Sequence, residues 1–327
     1  MLRRCLAACV LGLVAAGGAH ADPEQILLKA ADASRTANYR GVVIYRAGSA
    51  IESLRLVHGY EDGVERERLT ALTGEPREII RQDNKITCLL PKERKLDLKR
   101  PALKGLLTQV SPETLEVLAA WYELRELGNA RIAGRNCKGV ELAPRDDYRY
   151  GFEIWADEVS GVPLKVRLVS RDRRILEEVM FTEVDFPESL PAQAFEPDLD
   201  ARQFRTVIRQ EPTPSDNADL SDFPLRLEQL PAGFKVTLRD RRLGKDGRGA
   251  VEHVLISDGL SAVSLFAARG VPPEKAFVGL SSMGAVNAYG RMYGSFHVTV
   301  VGETPAAAVR YIGEHLLLKD AAEAAKP

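Results

Sequence analysis

The chain has 327 residues, 45% of them hydrophobic and 28% charged, a balance that excludes a disordered chain and is ordinary for a folded protein. Its 45 basic and 46 acidic side chains leave a formal charge of -1, which argues against nucleic acid as a partner, because such a partner needs a basic face. There is no C-x-x-C and no paired histidine, so neither a metal site nor a cofactor is expected.

Arg3 and Arg4 precede an apolar run from Cys5 to Val14, and Ala19-His20-Ala21 offers a small-x-small cleavage pattern. Residues 1–21 therefore read as a secretory signal. The run falls short of the roughly 20 residues a membrane span needs. Leu6-Ala7-Ala8-Cys9 matches the short pattern of bacterial lipoprotein processing, but it leaves only four residues after the arginines, against a required apolar core of about seven. The 306 residues beyond Ala21 exceed what one core usually serves, so two domains are expected. Cys88 and Cys137 alone remain after cleavage. In an oxidising compartment the pair predicts one disulfide, worth about 4 kcal/mol on the chain-entropy model for 48 enclosed residues; two separate buried thiols are the alternative.

Asp22-Pro23-Glu24-Gln25 reads as a capping box, followed by Leu27, Ala30, Ala31 and Ser34 on one helical face, with the helix ending near Ala37-Asn38. Strands follow at Tyr39 to Arg46, Ile51 to His58, Glu65 to Leu72, Arg77 to Arg81 and Ile86 to Leu90, an antiparallel meander. Lys92 to Arg100, bracketed by Pro91 and Pro101, is a basic loop, either solvated or a patch for an anionic headgroup. Ser111-Pro112 starts a second helix whose Leu115, Leu118, Ala119 and Tyr122 share a face, with Trp121 beside it. Such a helix would cover the concave side of a curved meander, over either a filled core or a cavity. Tyr148, Tyr150, Phe152 and Ile154 alternate with Arg149, Gly151, Glu153 and Trp155 as a strand; Leu164 to Leu168 and Ile175 to Val184 continue the hairpin series. A series of this kind with one open edge is an incomplete barrel.

Pro187, Pro191, Pro197 and Glu211-Pro212-Thr213-Pro214 lead into a polar linker. The boundaries read as a first domain over 22–208, a linker over 209–219, a second domain over 220–318 and a frayed tail over 319–327. Phe234 to Arg239, Val251 to Ser257, Leu260 to Ala267, Ala285 to Met292 and Ser295 to Val301 predict five strands in the second domain, and Thr304-Pro305 starts a closing helix with Val309, Ile312 and Leu316 on its apolar stripe. Arg239 to Arg248 is a long basic hairpin loop, mobile by default or a partner contact. The fold class is α+β, an unclosed antiparallel β-barrel covered by helices plus a smaller α+β domain.

The most specific vocabulary lies between Arg131 and Lys165: Arg131-Ile132-Ala133-Gly134-Arg135, Pro144-Arg145-Asp146-Asp147-Tyr148-Arg149-Tyr150-Gly151, Ile154-Trp155-Ala156-Asp157 and Ser160-Gly161-Val162-Pro163-Leu164-Lys165. These phrases, at these spacings, resemble the RseB/MucB family of periplasmic regulators. The likeness extends to Asn38-Tyr39-Arg40-Gly41, to the Ser257-Asp258-Gly259-Leu260 turn and to Gly284 to Pro305. It implies a first domain similar to the unclosed barrels of lipoprotein carriers such as LolA. It also implies binding to the periplasmic region of a membrane-spanning anti-sigma factor of the RseA/MucA kind, protection of that region from the first protease of the envelope-stress cascade, and release by lipid or lipopolysaccharide.

On that reading the lipid cavity is lined by Val43, Tyr45, Leu54, Leu56, Leu118, Trp121, Phe152 and Ile154, and the anti-sigma contact includes Tyr289, Arg291, Tyr293 and Phe296. Self-association into a homo-oligomer stays open. No enzymatic activity is expected: Gly279-Leu280-Ser281-Ser282-Met283-Gly284 misses the G-x-S-x-G pattern at Met283, and of the possible bases His58, His253, His297 and His315, three fall in or beside predicted strands or helices, where a surface or satisfied histidine is the commoner case. The competing reading is a periplasmic carrier or chaperone for lipoproteins or lipids, which would use the same barrel but has no need of the second domain.

Overall fold

The computed structural model describes residues 22–92, 110–200, 202–210, 219–243 and 250–319. The predicted signal segment, most of the predicted basic loop from Lys92, most of the predicted linker, part of the predicted Arg239 to Arg248 loop and the predicted tail after Lys319 lie outside the described residues. The Asp22 side chain accepts from the Glu24 amide at 3.0 Å and caps helix α1 (Pro23–Thr36), with Pro23 in the first turn, where no amide hydrogen is required. Five strands follow, β1 (Tyr39–Ala47), β2 (Ala50–Glu61), β3 (Val64–Ala71), β4 (Glu78–Gln82) and β5 (Lys85–Leu90). Helix α2 (Pro112–Leu118) opens on a capping box between Ser111 and Thr114. It stops at Leu118, where the Trp121 amide donates back to the Leu118 carbonyl in a tight turn, so Tyr122 leaves the helical face and opens a strand. That strand is β6 (Tyr122–Ile132), followed by β7 (Arg135–Pro144), β8 (Gly151–Asp157), β9 (Pro163–Val169), β10 (Ile175–Asp185) and β11 (Arg205–Gln210).

All eleven strands form one antiparallel sheet in the order β11-β5-β4-β3-β2-β1-β10-β9-β8-β7-β6. The end strands β11 and β6 do not pair with each other, so the sheet stays unclosed, as the hairpin series predicts. Helix α1 touches β7, β6, β8 and β9 on one half and β2 on the other, which requires the sheet to wrap around it. The two halves join at β1 and β10 through a bulge at Val42/Val43. A Cβ on Gly41 would lie 2.0 Å from the Glu183 carbonyl oxygen, so only glycine permits that close approach.

The predicted disulfide is not formed. Cys88 on β5 packs with Ile86, Leu90, Ile79 and Val207, whereas Cys137 on β7 packs in a different cluster, near the opposite end of the strand order. Both are buried, and they are not bonded to each other. Burial, with the Asp157 carboxylate nearby, pushes the Cys137 thiol up to about 11.

Beyond the linker, β13 (Lys235–Leu243), β14 (Ala250–Ser257), β15 (Ala262–Arg269), β16 (Gly279–Met283), β17 (Val286–Tyr293) and β18 (Phe296–Gly302) form a second antiparallel sheet in the order β13-β14-β15-β18-β17-β16. Helix α3 (Ala306–Glu314) closes one face with Val309 and Ile312 against Val254, Ile256, Val263, Leu265, Val298 and Val300. A short pair, β12 (Leu225–Leu227) with β19 (Leu316–Leu318), flanks it. Thr304 does not cap this helix: Pro305 takes the cap position, and the buried Thr304 offers its carbonyl to the Asn287 side chain at 2.7 Å. β16 is a strand that the sequence pattern did not mark.

Candidate functional site

Register places Leu54 opposite Val43, Tyr45 opposite Val179, and Val166 opposite both Val179 and Ile154. Directly paired residues share a face, so these side chains and Phe152, opposite Leu168, line one concave surface. Leu27, Ala30 and Ala31 of α1 and Leu115 and Leu118 of α2 join Leu142, Phe152 and Ile154 in a buried cluster over it. Each large side chain so buried stabilises the fold by about 1.5–3 kcal/mol. Most of the hollow is thus filled by the protein's own helices.

Among the described residues, a cavity of about 550 Å³ stays open between the start of α1, α2 and strands β6 and β7. Leu115, Leu118, Tyr122, Leu124 and Leu142 supply an apolar wall, and Glu24, Glu116, Glu123 and Arg145 add charge to the lining. A volume of this order suits a small organic ligand, for which roughly 300–1,000 Å³ is typical. An apolar wall with charged groups beside it selects an amphipathic one. Burial, and then the Asp258 carboxylate, raise the pKa of the Tyr122 hydroxyl, so it is neutral within the wall.

Next to this cavity the chain from Pro144 to Tyr150 bends into the second domain instead of extending as a strand. Arg149, fully buried, donates from Nε to Asp258 Oδ2 at 2.5 Å and from a terminal nitrogen to the Ala232 carbonyl at 2.6 Å; it also pairs with Asp146. Its guanidinium lies over the Trp121 ring at 5.1 Å and the Phe234 ring at 4.7 Å. Asp258 has its other oxygen held by the amides of Leu260 (2.9 Å) and Ser261 (2.7 Å). Gly233 has φ +83°, and a Cβ there would meet Trp121 at 2.5 Å. Around this clasp Asn287 donates to the Tyr150 hydroxyl at 3.0 Å, and the Tyr148 and Tyr311 rings meet at 5.2 Å. The junction is polar at its centre, with every group of the guanidinium matched.

Residues 22–199 match the MucB/RseB N-terminal domain, and residues 219–316 match the MucB/RseB C-terminal domain. The chain belongs to the MucB/RseB family. Among its relatives are the sigma factor AlgU regulatory protein MucB of Pseudomonas aeruginosa, 31% identical over 87% of both chains, and the sigma-E factor regulatory protein RseB of Escherichia coli, 24% identical over 87% of both. In three dimensions it is similar to MucB in the Pseudomonas aeruginosa MucA/MucB complex, with 27% identity and a TM-score of 0.71 over 92% of this chain and all of that one. A second structure, of MucB with the periplasmic part of MucA, gives 27% and 0.70 with the same coverage.

The family phrases acquire a physical sense here. Pro144 to Gly151 and Ser257 to Leu260, far apart in sequence, meet as Arg149 and Asp258. Sequence reasoning quoted both stretches yet missed the pair, because it set Arg149 on a regular strand. Of the residues expected in a MucB/RseB lipid cavity, Val43, Tyr45, Leu54, Leu56, Phe152 and Ile154 do share the concave sheet, but only Leu118 lines the open volume. Trp121 is turned toward Arg149 and Gly233 at the domain junction. Tyr45 also has its hydroxyl tied to Glu177 at 2.9 Å. Of the expected partner contacts, Tyr289 packs on Gly313 of α3, Tyr293 donates to the Gly313 carbonyl, and Phe296 lies under Arg269. Arg291 is exposed beside the Tyr293 ring.

Proposed function

We propose that this chain is an exported, periplasmic regulator without enzymatic activity. It binds the periplasmic region of a membrane-spanning anti-sigma factor of the RseA/MucA type and shields it from site-1 cleavage, and a lipid or lipopolysaccharide acyl chain releases it. The observation that carries this reading is the likeness over both domains to MucB as it stands in its complex with MucA. Shielding needs only differential binding, because a segment held by the regulator is withheld from the extended form that a protease requires. The 550 Å³ cavity supports the lipid signal. It shares its α2–β6 corner with the clasp, since Leu118, Ala119 and Tyr122 line the cavity while Trp121 touches Arg149. A ligand seated there presses on the junction of the domains.

The test is cleavage of the purified periplasmic region of the same organism's MucA-type protein by its protease, with and without residues 22–327, and then with lipopolysaccharide added. Protection that lipopolysaccharide relieves is the expected result. Acyl-chain uptake with no protection would replace the regulator by a lipid carrier.

A further inference from the structure

The two edges of the second sheet are built differently. β13 has a bulge at Val236/Leu238 and carries Arg239, Asp240 and Arg241, features that keep an edge from pairing with other chains. β16, the opposite edge, reads Gly-Leu-Ser-Ser-Met, with no charge, no proline and a regular register to β17. On the first sheet, edge β6 is likewise bulged, at Glu126/Gly128, and charged, and edge β11 opens on Arg205. Among these edges β16 alone is both neutral along its length and flanked by a run of exposed apolar side chains. Val278 is 64% exposed, Met283 57%, Leu280 44% and Phe277 36%.

The register also shows which backbone groups are free. β16 and β17 are joined by the two-residue turn Gly284-Ala285 with Gly284 at φ +63°, so the flanking pair Met283 and Val286 exchanges both hydrogen bonds. Hydrogen-bonded pairs then alternate, at Ser281 with Ala288 and Gly279 with Gly290. Leu280 and Ser282 therefore direct their N–H and C=O groups outward, away from β17. Leu280 stands on the α3 face opposite Tyr289, and Met283 on the other face.

We propose that the anti-sigma segment binds as an added strand along β16, hydrogen-bonded to Leu280 and Ser282, through an uncharged extended stretch with apolar side chains for both Leu280 and Met283. This rests on the regulator reading above. Only an extended backbone satisfies a bare strand edge, and the apolar flanks supply the specificity of that mode. Bound in this way, the segment's backbone is hidden from a protease that must itself grip it in extended form.

The test is titration of residues 22–327 with the labelled periplasmic region of the same organism's MucA-type protein, followed by hydrogen exchange on the complex. Ser282→Pro removes an outward N–H and leaves the backbone ladder to β17 in place but also loses the Ser282 hydroxyl bond to Asn287 Oδ1 at 2.5 Å, so Leu280→Lys, which puts a charge on the edge and keeps that bond, is read beside it. Each is expected to weaken binding at least about 10-fold, roughly the loss of a few contacts at about 1.4 kcal/mol per decade. Ile208→Lys, on the exposed edge of β11, is expected to change it less than about 2-fold, with the Leu280 and Ser282 amides protected in the wild-type complex. Wild-type binding with unchanged affinity in both β16 variants and no protection there overturns this inference alone. No binding by the wild-type chain overturns the regulator reading and this occupant with it. Self-association of the free protein that Ser282→Pro abolishes, without segment binding, would put a second copy on the edge instead.

Discussion

The concave face of the eleven-stranded sheet is closed by aliphatic and aromatic side chains from Leu27 to Ile154, whereas the junction between the domains is closed around the guanidinium of Arg149. Apolar contact has no direction, so the hollow can be under-filled at one end and keep a cavity without losing its fold. A buried charge is different, because each donor must meet its acceptor and geometry is then fixed. The hollow sets what can be held; the junction sets how the domains face one another.

The contrast can be broken most strongly at the junction. Arg149→Met leaves Asp146 and Asp258 without their cation and is expected to cost about 3–5 kcal/mol in urea unfolding. Adding Asp258→Leu should recover part of that loss, and no recovery would mean that the arginine acts by shape alone. In the hollow, Ile154→Ala is expected to cost about 2–4 kcal/mol. Ile154 does not line the open cavity, so uptake of a fluorescent fatty acid should stay within about 2-fold, whereas Leu118→Trp, which fills part of the cavity, should weaken uptake more than about 5-fold.

A smaller effect sharpens the role of charge inside the first domain. Burial works against the Asp157 carboxylate, yet bonds from Arg135 at 2.7 Å and from the Ser160 amide and hydroxyl at 2.7 and 2.8 Å hold its pKa below the ordinary value. A depressed folded pKa gives stability that is present above the unfolded value of about 3.9 and is lost as pH falls through the folded one. The stability gap between wild type and Asp157→Asn should therefore be widest near neutrality and shrink below about pH 4. The smallest expected effect is none at all: reductant should leave the melting temperature unchanged, since Cys88 and Cys137 are separate thiols. A clear drop in melting temperature would restore the bridge.

Much of the first sheet was legible because Tyr39 to Leu90 and Gly151 to Val184 alternate apolar and polar side chains between clear turns. β6 was not, since its partly exposed edge mixes charges with Gly128 and a bulge and so loses the period of two. The helix predicted to reach Tyr122 fails for a related reason, because Tyr122 is buried equally well from a strand. Arg149 was misread for want of long-range information. Its partners Ala232 and Asp258 lie 83 and 109 residues away, and no local pattern marks a side chain whose acceptors belong to another domain. The cysteine pair obeyed an arithmetic of even numbers that says nothing about distance.

The same guanidinium has a consequence for how a signal is read. It is held by Asp146 from its own domain, bound across the junction to both Asp258 and Ala232, and shut away from water, so a small separation of the domains weakens both cross-domain bonds before solvent can replace either. Half-open arrangements are thereby penalised relative to closed and fully wetted ones. A gradually rising stimulus would not loosen such a hinge by degrees; it would change the fraction of molecules on either side of a threshold.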